Sequence, residues 1–372
     1  MLCYKAYKFR IYPNKEQKVL FAKTFGCVRL VYNYYLDRKI RAYETDKSTL
    51  SYNDCSKDLV PLKKEKEFLK EVDSISLQQS LRHLDNAYQN FFRDKKIGFP
   101  KFKSRKNHHF SYSTVCVNHN IRLEVGYLIL PKVKAVKIKQ HRTAPRDYKL
   151  KSATVSKTST NKYFVSILYE YEVEIKEIEP VTSIGLDFSM AKLFVASEGK
   201  AVNYPRYYRQ TLEKLAKEQR ILAQREKGSN GYYQQRLKVA KVHEKIANQR
   251  KDFLHKISRQ ITNAYDVVCI EDLNMKGMSQ ALHFGKSVAD NGWGMFCSFL
   301  AYKLADQGKH LVKIDKWYPS SKTCNLCGYV YQDLELSERT WTCSACNAVH
   351  DRDINASINI KRKGLEMLAC ST

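Results

Sequence analysis

The chain has 372 residues, more than one compact core usually serves, so two or three domains are expected. Its 65 lysines and arginines outnumber its 38 acidic residues and give a net charge of +27, which favours a nucleic-acid partner over a merely solubilising surface. No apolar run could span a bilayer, and the start lacks the apolar core of a signal peptide. We therefore expect a cytoplasmic, nucleoid-associated protein without a membrane partner.

The first eleven residues predict a strand with one buried face and one basic face. Tyr7, Phe9 and Ile11 alternate there with Lys8 and Arg10. The two cations are candidate nucleic-acid contacts, because lysine and arginine neutralise phosphates.

Residues 12 to about 92 predict a small bundle of helices. Asn14 and Gln17 have the spacing of a capping box, which predicts a helix start, and Leu77 begins a later apolar stripe.

The segment 93–106 predicts a basic loop in which aromatic rings lie among cations. A solvated charge run is the alternative, but rings interleaved with cations favour contact with nucleic acid. The candidate contacts are Lys95, Lys96, Phe99, Lys101, Phe102, Lys103, Arg105 and Lys106.

Short alternating stretches then predict an all-β region, a small barrel that the first strand joins. They are Phe110–Cys116, Tyr127–Leu130, Val136–Ile138, Ser152–Val155 and Tyr163–Leu168. The acidic stretch from Glu170 to Glu179, followed by Pro180, is typical of a linker.

A mixed α/β domain is predicted from Val181 onwards. Its predicted strands end in carboxylates twice, at Asp187 and Glu271, and a helical hairpin broken at Gly228–Gly231 lies between them. The remaining predicted elements are strands at Leu193–Ala196, Val202–Tyr204 and Leu311–Ile314, and a helix near Trp293–Gln307.

Two Cys-x-x-Cys pairs separated by 15 residues predict a closed, structural Zn²⁺ site. Its ligands are Cys324, Cys327, Cys343 and Cys346, and Gly328 supports a tight turn after the first pair. Disulfides or redox dithiols are the alternatives, which a reducing compartment and the two-pair spacing disfavour. His350 is expected to be a surface or nucleic-acid residue, because four thiolates already saturate the metal.

Three carboxylates are candidate ligands of catalytic Mg²⁺. Asp187 and Glu271 end buried strands, and Asp353 begins a predicted helix whose buried face holds Ile354 and Ile358. Any one of them alone favours a capping or ion-paired acid. Three together favour a metal site for phosphodiester hydrolysis, since converging carboxylates repel each other and a divalent cation relieves that repulsion.

The order Asp, Glu, zinc ribbon, Asp resembles TnpB, the family of RNA-guided RuvC-type endonucleases of bacterial insertion sequences, and the related miniature type V CRISPR effectors. The resemblance covers nearly the whole chain. It rests on KAYKFRIYPNKEQKVLFAKTFGCVRLVYN, GFPKFKSRK, GLDFSM, CIEDLNM, WYPSSKTCNLCG and HDRDINASINI.

The resemblance implies a multidomain α+β fold. It implies a wedge-like β-barrel from 1–11 and 107–180, an inserted helical recognition lobe at 12–106, an RNase H-like (RuvC) domain from 181–320 and 350–372, and a target-binding zinc ribbon at 321–349. It also implies catalysis by Asp187, Glu271 and Asp353, with Asp351 less favoured, although Ser189 replaces a glycine common in the family. The implied partners are one guide RNA per protein and a double-stranded DNA target beside a short motif.

Four alternatives remain open. A strand-joining transposase usually orders its acids Asp, Asp, Glu, and a non-catalytic RNA-guided repressor is expected to have lost acids that are present here. A zinc-ribbon transcription factor leaves the acids without a role. A compact CRISPR effector differs from a transposon protein chiefly in gene neighbourhood.

Overall fold

A computed structural model describes residues 1–108, 110–174, 178–281, 285–335 and 337–370 of the chain. The chain folds into two compact units, Met1–Val173 and Glu174–Thr372. Each unit has its own hydrophobic core. The finer division into four domains stays a prediction.

The first unit contains a seven-stranded antiparallel sheet. Its strands are β1 (Leu2–Tyr12), β2 (Phe110–Val115), β3 (Arg122–Glu124), β4 (Tyr127–Leu130), β5 (Lys134–Lys139), β6 (Lys149–Lys157) and β7 (Tyr163–Glu172). The order β2-β6-β7-β1-β5-β4-β3 places β1 in the centre and confirms the prediction that the first strand joins the later ones. The edge strands β2 and β3 are not paired with each other among the described residues, so the predicted barrel is an open half-barrel. Strand β7 also continues through Glu172, so the stretch predicted as a linker begins later than expected.

Three helices precede the rest of this sheet in the chain: α1 (Lys15–Asp46), α2 (Tyr52–Glu65) and α3 (Ser74–Arg93). The predicted capping box is confirmed, because Asn14 Oδ1 accepts from the Gln17 amide at 2.8 Å and Gln17 Oε1 accepts from the Asn14 amide at 3.1 Å. The apolar face of the bundle packs on the sheet and forms the core of the first unit.

The second unit contains a five-stranded mixed sheet in the order β10-β9-β8-β11-β12. Its strands are β8 (Ser183–Phe188), β9 (Phe194–Ala196), β10 (Ala201–Val202), β11 (Val267–Glu271) and β12 (His310–Ile314). Strand β8 is parallel to β11, and β11 is parallel to β12, whereas β9 and β10 are antiparallel additions at one edge. The predicted strands are therefore present, although β10 is shorter than expected.

The helices of this unit are α4 (Tyr207–Gln210), α5 (Leu212–Ala223), α6 (Asn230–Ala264), α7 (Met275–Ala281), α8 (Gly285–Asn291), α9 (Trp293–Ala305) and α10 (Arg352–Ala369). Of these, α6, α9 and α10 contribute buried residues to the cores that pack against the sheet. The predicted hairpin of α5 and α6 is confirmed, and its break includes Gly228 at φ +94°. A two-stranded sheet, β13 (Thr340–Thr342) and β14 (Val349–Asp351), lies between β12 and α10 in the chain. Among the described residues, no helix is both long and apolar enough to cross a membrane.

Helix α10 lies unusually close to the sheet of the second unit. A Cβ atom on Gly185 of β8 would lie 2.1 Å from the Ser357 carbonyl oxygen, and one on Gly364 of α10 would lie 2.4 Å from Cys269 Sγ. Both distances are far shorter than van der Waals contact, so only glycine permits the helix to pack this closely. This close packing fixes where the start of α10 lies relative to the ends of β8 and β11.

We predict that Gly185→Ala destabilises the protein by about 3 kcal/mol, because its methyl group meets backbone atoms that cannot move aside. Gly26→Ala is the control: it lies within α1 with nothing within 4 Å of the added Cβ, so alanine should stabilise the fold by about 0.5–1 kcal/mol. Thermal or urea unfolding measures both. Equal stability of the two variants would contradict the close packing of α10.

Candidate functional site

Two of the predicted acids lie side by side at the ends of adjacent parallel strands. The last paired positions of β8 and β11 are Leu186 and Ile270, and the next residues along each strand are Asp187 and Glu271. Neighbouring strands are about 4.8 Å apart, so these two carboxyl groups share one edge of the sheet.

The third acid, Asp353, lies in the first turn of α10. Asp351 is the N-cap of this helix, and its carboxylate accepts from the amides of Asp353 and Ile354 at 3.0 and 2.9 Å. Asp353 lies near enough to Asp187 for its charge to act on that carboxyl group. The predicted buried face of the helix is wrong, because Ile354 and Ile358 are half-buried whereas Asn355 and Asn359 are buried.

Burial raises the pKa of two of these acids, Asp187 and Glu271. Burial raises the pKa of Asp187 well above its usual range, and the charges of Glu271 and Asp353 raise it further. Burial also raises the pKa of Glu271, against the opposing effect of a hydrogen bond from Ser320. The three groups therefore form one electrostatically coupled cluster whose unfavourable charge a divalent cation would offset.

Arg339 contacts this cluster and was not predicted. Its Nη1 lies 3.3 Å from Asp353 Oδ1, and its carbonyl oxygen accepts from the Arg352 amide at 2.8 Å. Arg339 comes immediately before β13, fourteen residues ahead of Asp353. The sequence carried no signal for this pairing, because the fold of the zinc segment alone brings the two side chains together.

A polar network joins Glu271 to α10. Ser320 Oγ donates to Glu271 Oε1 at 2.5 Å. The buried amides of Asn355 and Asn359 donate to the carbonyl oxygens of Ser320 and Thr323, at 2.6–3.4 Å. The network explains why asparagines occupy the inner face of the helix: each one satisfies backbone carbonyls that burial would otherwise leave unpaired.

The four predicted cysteines come together. Their Sγ atoms all lie within 4.8 Å of one another, and the pairs Cys324–Cys346 and Cys327–Cys343 are 3.7 and 3.6 Å apart. A tetrahedron of thiolates around Zn²⁺ at about 2.3 Å has edges of about 3.8 Å, so the group can hold a zinc ion. No other set of three or more His, Cys, Asp or Glu side chains is gathered this tightly in the described part of the chain.

The two cysteine knuckles are built alike. In the first, Cys324 O accepts from the Gly328 amide at 2.9 Å, and in the second, Cys343 O accepts from the Asn347 amide at 2.8 Å. Gly328 and Asn347 have φ values of +79° and +61°, and these are the two residue types that adopt this conformation most readily. The glycine turn was predicted from the sequence, and its asparagine equivalent was not.

The prediction for His350 was wrong. The side chain is only 6% exposed, lies 4.8 Å from the Trp341 ring and places Nε2 3.1 Å from Cys324 Sγ. Burial lowers its pKa. His350 is thus a hydrogen-bond partner of one of the four gathered sulfurs, the arrangement that orients a ligand where a metal is bound.

The predicted nucleic-acid contacts all lie in the first unit. Lys8 and Arg10 lie over the Phe164 ring, at 4.8 and 5.1 Å from its centroid. In the basic loop, Phe99 packs edge-on against Phe91 at 5.4 Å, and Lys103 lies 3.8 Å from the centroid of a tyrosine ring. The other members, Lys95, Lys96, Lys101, Phe102, Arg105 and Lys106, are exposed. These residues stay predicted contacts.

Three segments match profiles of known families. Residues 166–282 match one described as "Probable transposase", residues 293–360 match "Cas12f1-like, TNB domain", and residues 1–48 match "Helix-turn-helix domain". The last description differs from the structure, in which that segment forms β1 and the single helix α1.

Two curated relatives extend over the whole chain. One from Streptomyces pristinaespiralis, named "Putative RNA-guided DNA endonuclease", is 39% identical over 98% of this chain and 90% of its own length. Another from Escherichia coli (strain K12), with the same name followed by InsQ, is 31% identical over 98% of this chain and 94% of its own. A solved structure titled as a Cas12f1–sgRNA–target DNA complex has a similar fold, with a TM-score of 0.56 at 13% identity over 97% of this chain and 99% of that one.

The mixed sheet with acids at its strand ends and an inserted cysteine cluster defines an RNase H-like nuclease domain of the RuvC type. By these two relatives, the chain belongs to the TnpB family of insertion-sequence proteins, and both relatives carry the name "Putative RNA-guided DNA endonuclease".

We predict that Cys327→Ser releases zinc and lowers the melting temperature, because one thiolate of a closed four-sulfur site is lost. Cys370→Ser is the matched control: this exposed cysteine follows α10 and is not among the four gathered thiols. Metal analysis of the purified proteins should give about one zinc per chain for the wild type and Cys370→Ser. Full zinc content in Cys327→Ser would contradict the site.

Proposed function

We propose that the protein is an RNA-guided DNA endonuclease that hydrolyses phosphodiester bonds at a Mg²⁺ site formed by Asp187, Glu271 and Asp353. The observation that carries the proposal is the meeting of these acids, from three distant segments, at one edge of the sheet. Full-length relatives with the name of RNA-guided DNA endonucleases support the same activity.

The chemistry of the donor set fits magnesium. Carboxylate oxygens are the ligands that Mg²⁺ prefers, and the raised pKa of Asp187 reflects burial together with the repulsion that a bound cation would relieve. Magnesium bound there would supply an activated water nucleophile and stabilise the leaving oxygen.

The side chains around the acids have distinct parts. Ser320 orients Glu271 through its hydroxyl, and the cap at Asp351 fixes the first turn of α10, which carries Asp353. Arg339 bears a permanent positive charge beside Asp353 and is suited to meet a phosphate of the substrate.

Recognition would be divided between base pairing and the protein. A guide RNA would select the target by pairing, while the protein binds a short motif beside it and holds both backbones through basic groups. Lys8, Arg10 and the basic loop at 93–106 are the proposed contacts, with one protein per guide RNA. The zinc ribbon would bind the target strand close to the acids.

The test begins with purification from cells that carry the gene together with its flanking DNA. RNA that co-purifies is sequenced, and the complex is then challenged in Mg²⁺ with a library of targets whose flanking bases are randomised. We expect a discrete RNA, cleavage of matching targets, and enrichment of one short flanking motif. Absence of bound RNA would contradict the guided mechanism, and binding without cleavage would indicate a repressor.

We predict that Asp353→Asn abolishes cleavage, by at least about 10³-fold, while RNA and target binding persist, because a ligand charge is lost without a change of shape. Asp351→Asn is the matched control, since asparagine caps a helix as well as aspartate does. Cleavage rates and gel-shift binding compare the two. If Asp351→Asn is the inactive variant, the third acid has been assigned to the wrong residue.

Ser320→Ala should raise the Mg²⁺ concentration for half-maximal cleavage by about 10-fold, because Glu271 loses the donor that orients it. The rate at saturating Mg²⁺ should fall much less. Ser337→Ala, in an exposed part of the zinc segment, should leave both quantities unchanged. An unaltered Mg²⁺ requirement in Ser320→Ala would remove Ser320 from the site.

A further inference from the structure

The loop that follows β12 presents a tryptophan to solvent. Trp317 is 80% exposed, whereas Trp293 and Trp341, the other two tryptophans of the chain, are 2% and 5% exposed. An indole ring offers a broad apolar face on which a nucleobase can stack.

This loop is attached to Glu271 at both of its ends. At its start, Ile314 is the Cα partner of Glu271 across β11 and β12, and its carbonyl oxygen accepts from the Asp272 amide at 3.0 Å. At its end, Ser320 Oγ donates to Glu271 Oε1 at 2.5 Å. Trp317 is three positions along the chain from each end, so its Cα lies within about 11 Å of both end Cα atoms.

The backbone of the loop is ordered by its own hydrogen bonds. Asp315 Oδ1 accepts from the Trp317 amide at 2.7 Å, and the Asp315 carbonyl accepts from the Tyr318 amide at 3.1 Å. Tyr318 packs against the buried cluster that includes Ile360. The exposed ring therefore projects from a short, anchored turn, which lowers the entropy lost when a partner binds it.

A cation accompanies the ring. Lys316 Nζ lies 4.8 Å from the centroid of the Trp317 ring. A ring for the base and an ammonium for the adjoining phosphate are the two elements of single-strand recognition. The chain as a whole is strongly basic, with a net charge of +27, which favours a polyanion over an acidic or apolar protein as the occupant.

We propose that Trp317 and Lys316 form a stacking platform for an unpaired base of the DNA strand that enters the acid site. The proposal rests on the function proposed above, because a DNA strand would lie beside this loop only if Glu271 belongs to the active site. A base within a duplex is stacked on both of its faces, so the platform selects strand regions that are already unwound.

Intrinsic fluorescence tests binding without cleavage. In the guide-bound Asp187→Ala complex, acrylamide should quench mainly Trp317, since the other two indoles are buried. Target DNA with an unpaired stretch should protect this fraction, and fully paired DNA without a guide match should not. Trp317→Phe should lose the quenchable fraction and so verify its source.

Cleavage kinetics test the consequence. Trp317→Ala should raise KM for the target by about 5- to 150-fold, the range that corresponds to one base–ring stack, with a smaller change in kcat. Trp317→Phe should recover most of the loss, because a ring is restored. Tyr233→Ala is the matched control: Tyr233 is also exposed and lies 5.3 Å from an arginine, but belongs to the start of α6.

Two results would overturn the platform: an indole that unpaired target DNA does not protect, or a Trp317→Ala variant with wild-type KM. Failure of the proposed function has a different signature, namely a wild-type complex that does not cleave or an Asp187→Ala complex that cleaves normally. Protection of Trp317 in Asp187→Ala would still support the platform as a single-strand contact in the first of those cases.

Discussion

The close contact between Gly185 and α10 is the constraint on which the site depends. Asp187 and Glu271 are neighbours through strand register alone, and register is set by the sheet. Asp353 has no such link to either acid. It reaches them because α10 lies against β8 at a distance that a side chain on Gly185 would forbid. Gly185, which permits the close packing of α10, lies only two residues before Asp187 on the same strand.

Zinc and magnesium would have separate parts, but the chain links them. The cysteine segment lies between Ser320, which contacts Glu271, and α10, which carries Asp353. Asn355 and Asn359 bind the carbonyls of residues that lead into the first knuckle. Arg339 extends from the same segment to Asp353. The ribbon therefore braces the acids in addition to any contact with nucleic acid, and loss of its metal would disturb the nuclease site.

Local patterns predicted the parts of the fold that local interactions determine. The capping box at Asn14, the alternation in β1 and the two cysteine pairs each need only neighbouring residues, and each is confirmed. The half-barrel was predicted as a barrel, because the pairing of edge strands is a long-range property that alternation does not encode. The helices α7 and α8 were missed for lack of a sustained apolar period.

The errors near the site share one physical cause. Ile354 and Ile358 were assigned to the buried face of α10 on hydropathy, yet Asn355 and Asn359 are the buried residues. Their side-chain amides donate hydrogen bonds to buried backbone carbonyls, which aliphatic side chains could not do. His350 was assigned to the surface because four thiolates already saturate the metal, yet it lies inside against a sulfur. Polar residues were interpreted as exposed wherever their partners came from another segment.

The buried acids are energetically unfavourable in the metal-free protein, so the fold must hold them in place. Burial and mutual repulsion disfavour ionised Asp187, so the metal-free protein holds this cluster in an unfavourable state. The close packing of α10, the cap at Asp351 and the asparagine network supply the rigidity that keeps the carboxylates together despite it. Ligands carried on rigid elements lose little freedom when a cation binds, and the relief of repulsion adds to the affinity. Burial and mutual repulsion, which destabilise the acid cluster without a metal, are therefore the same features that favour the binding of a divalent cation.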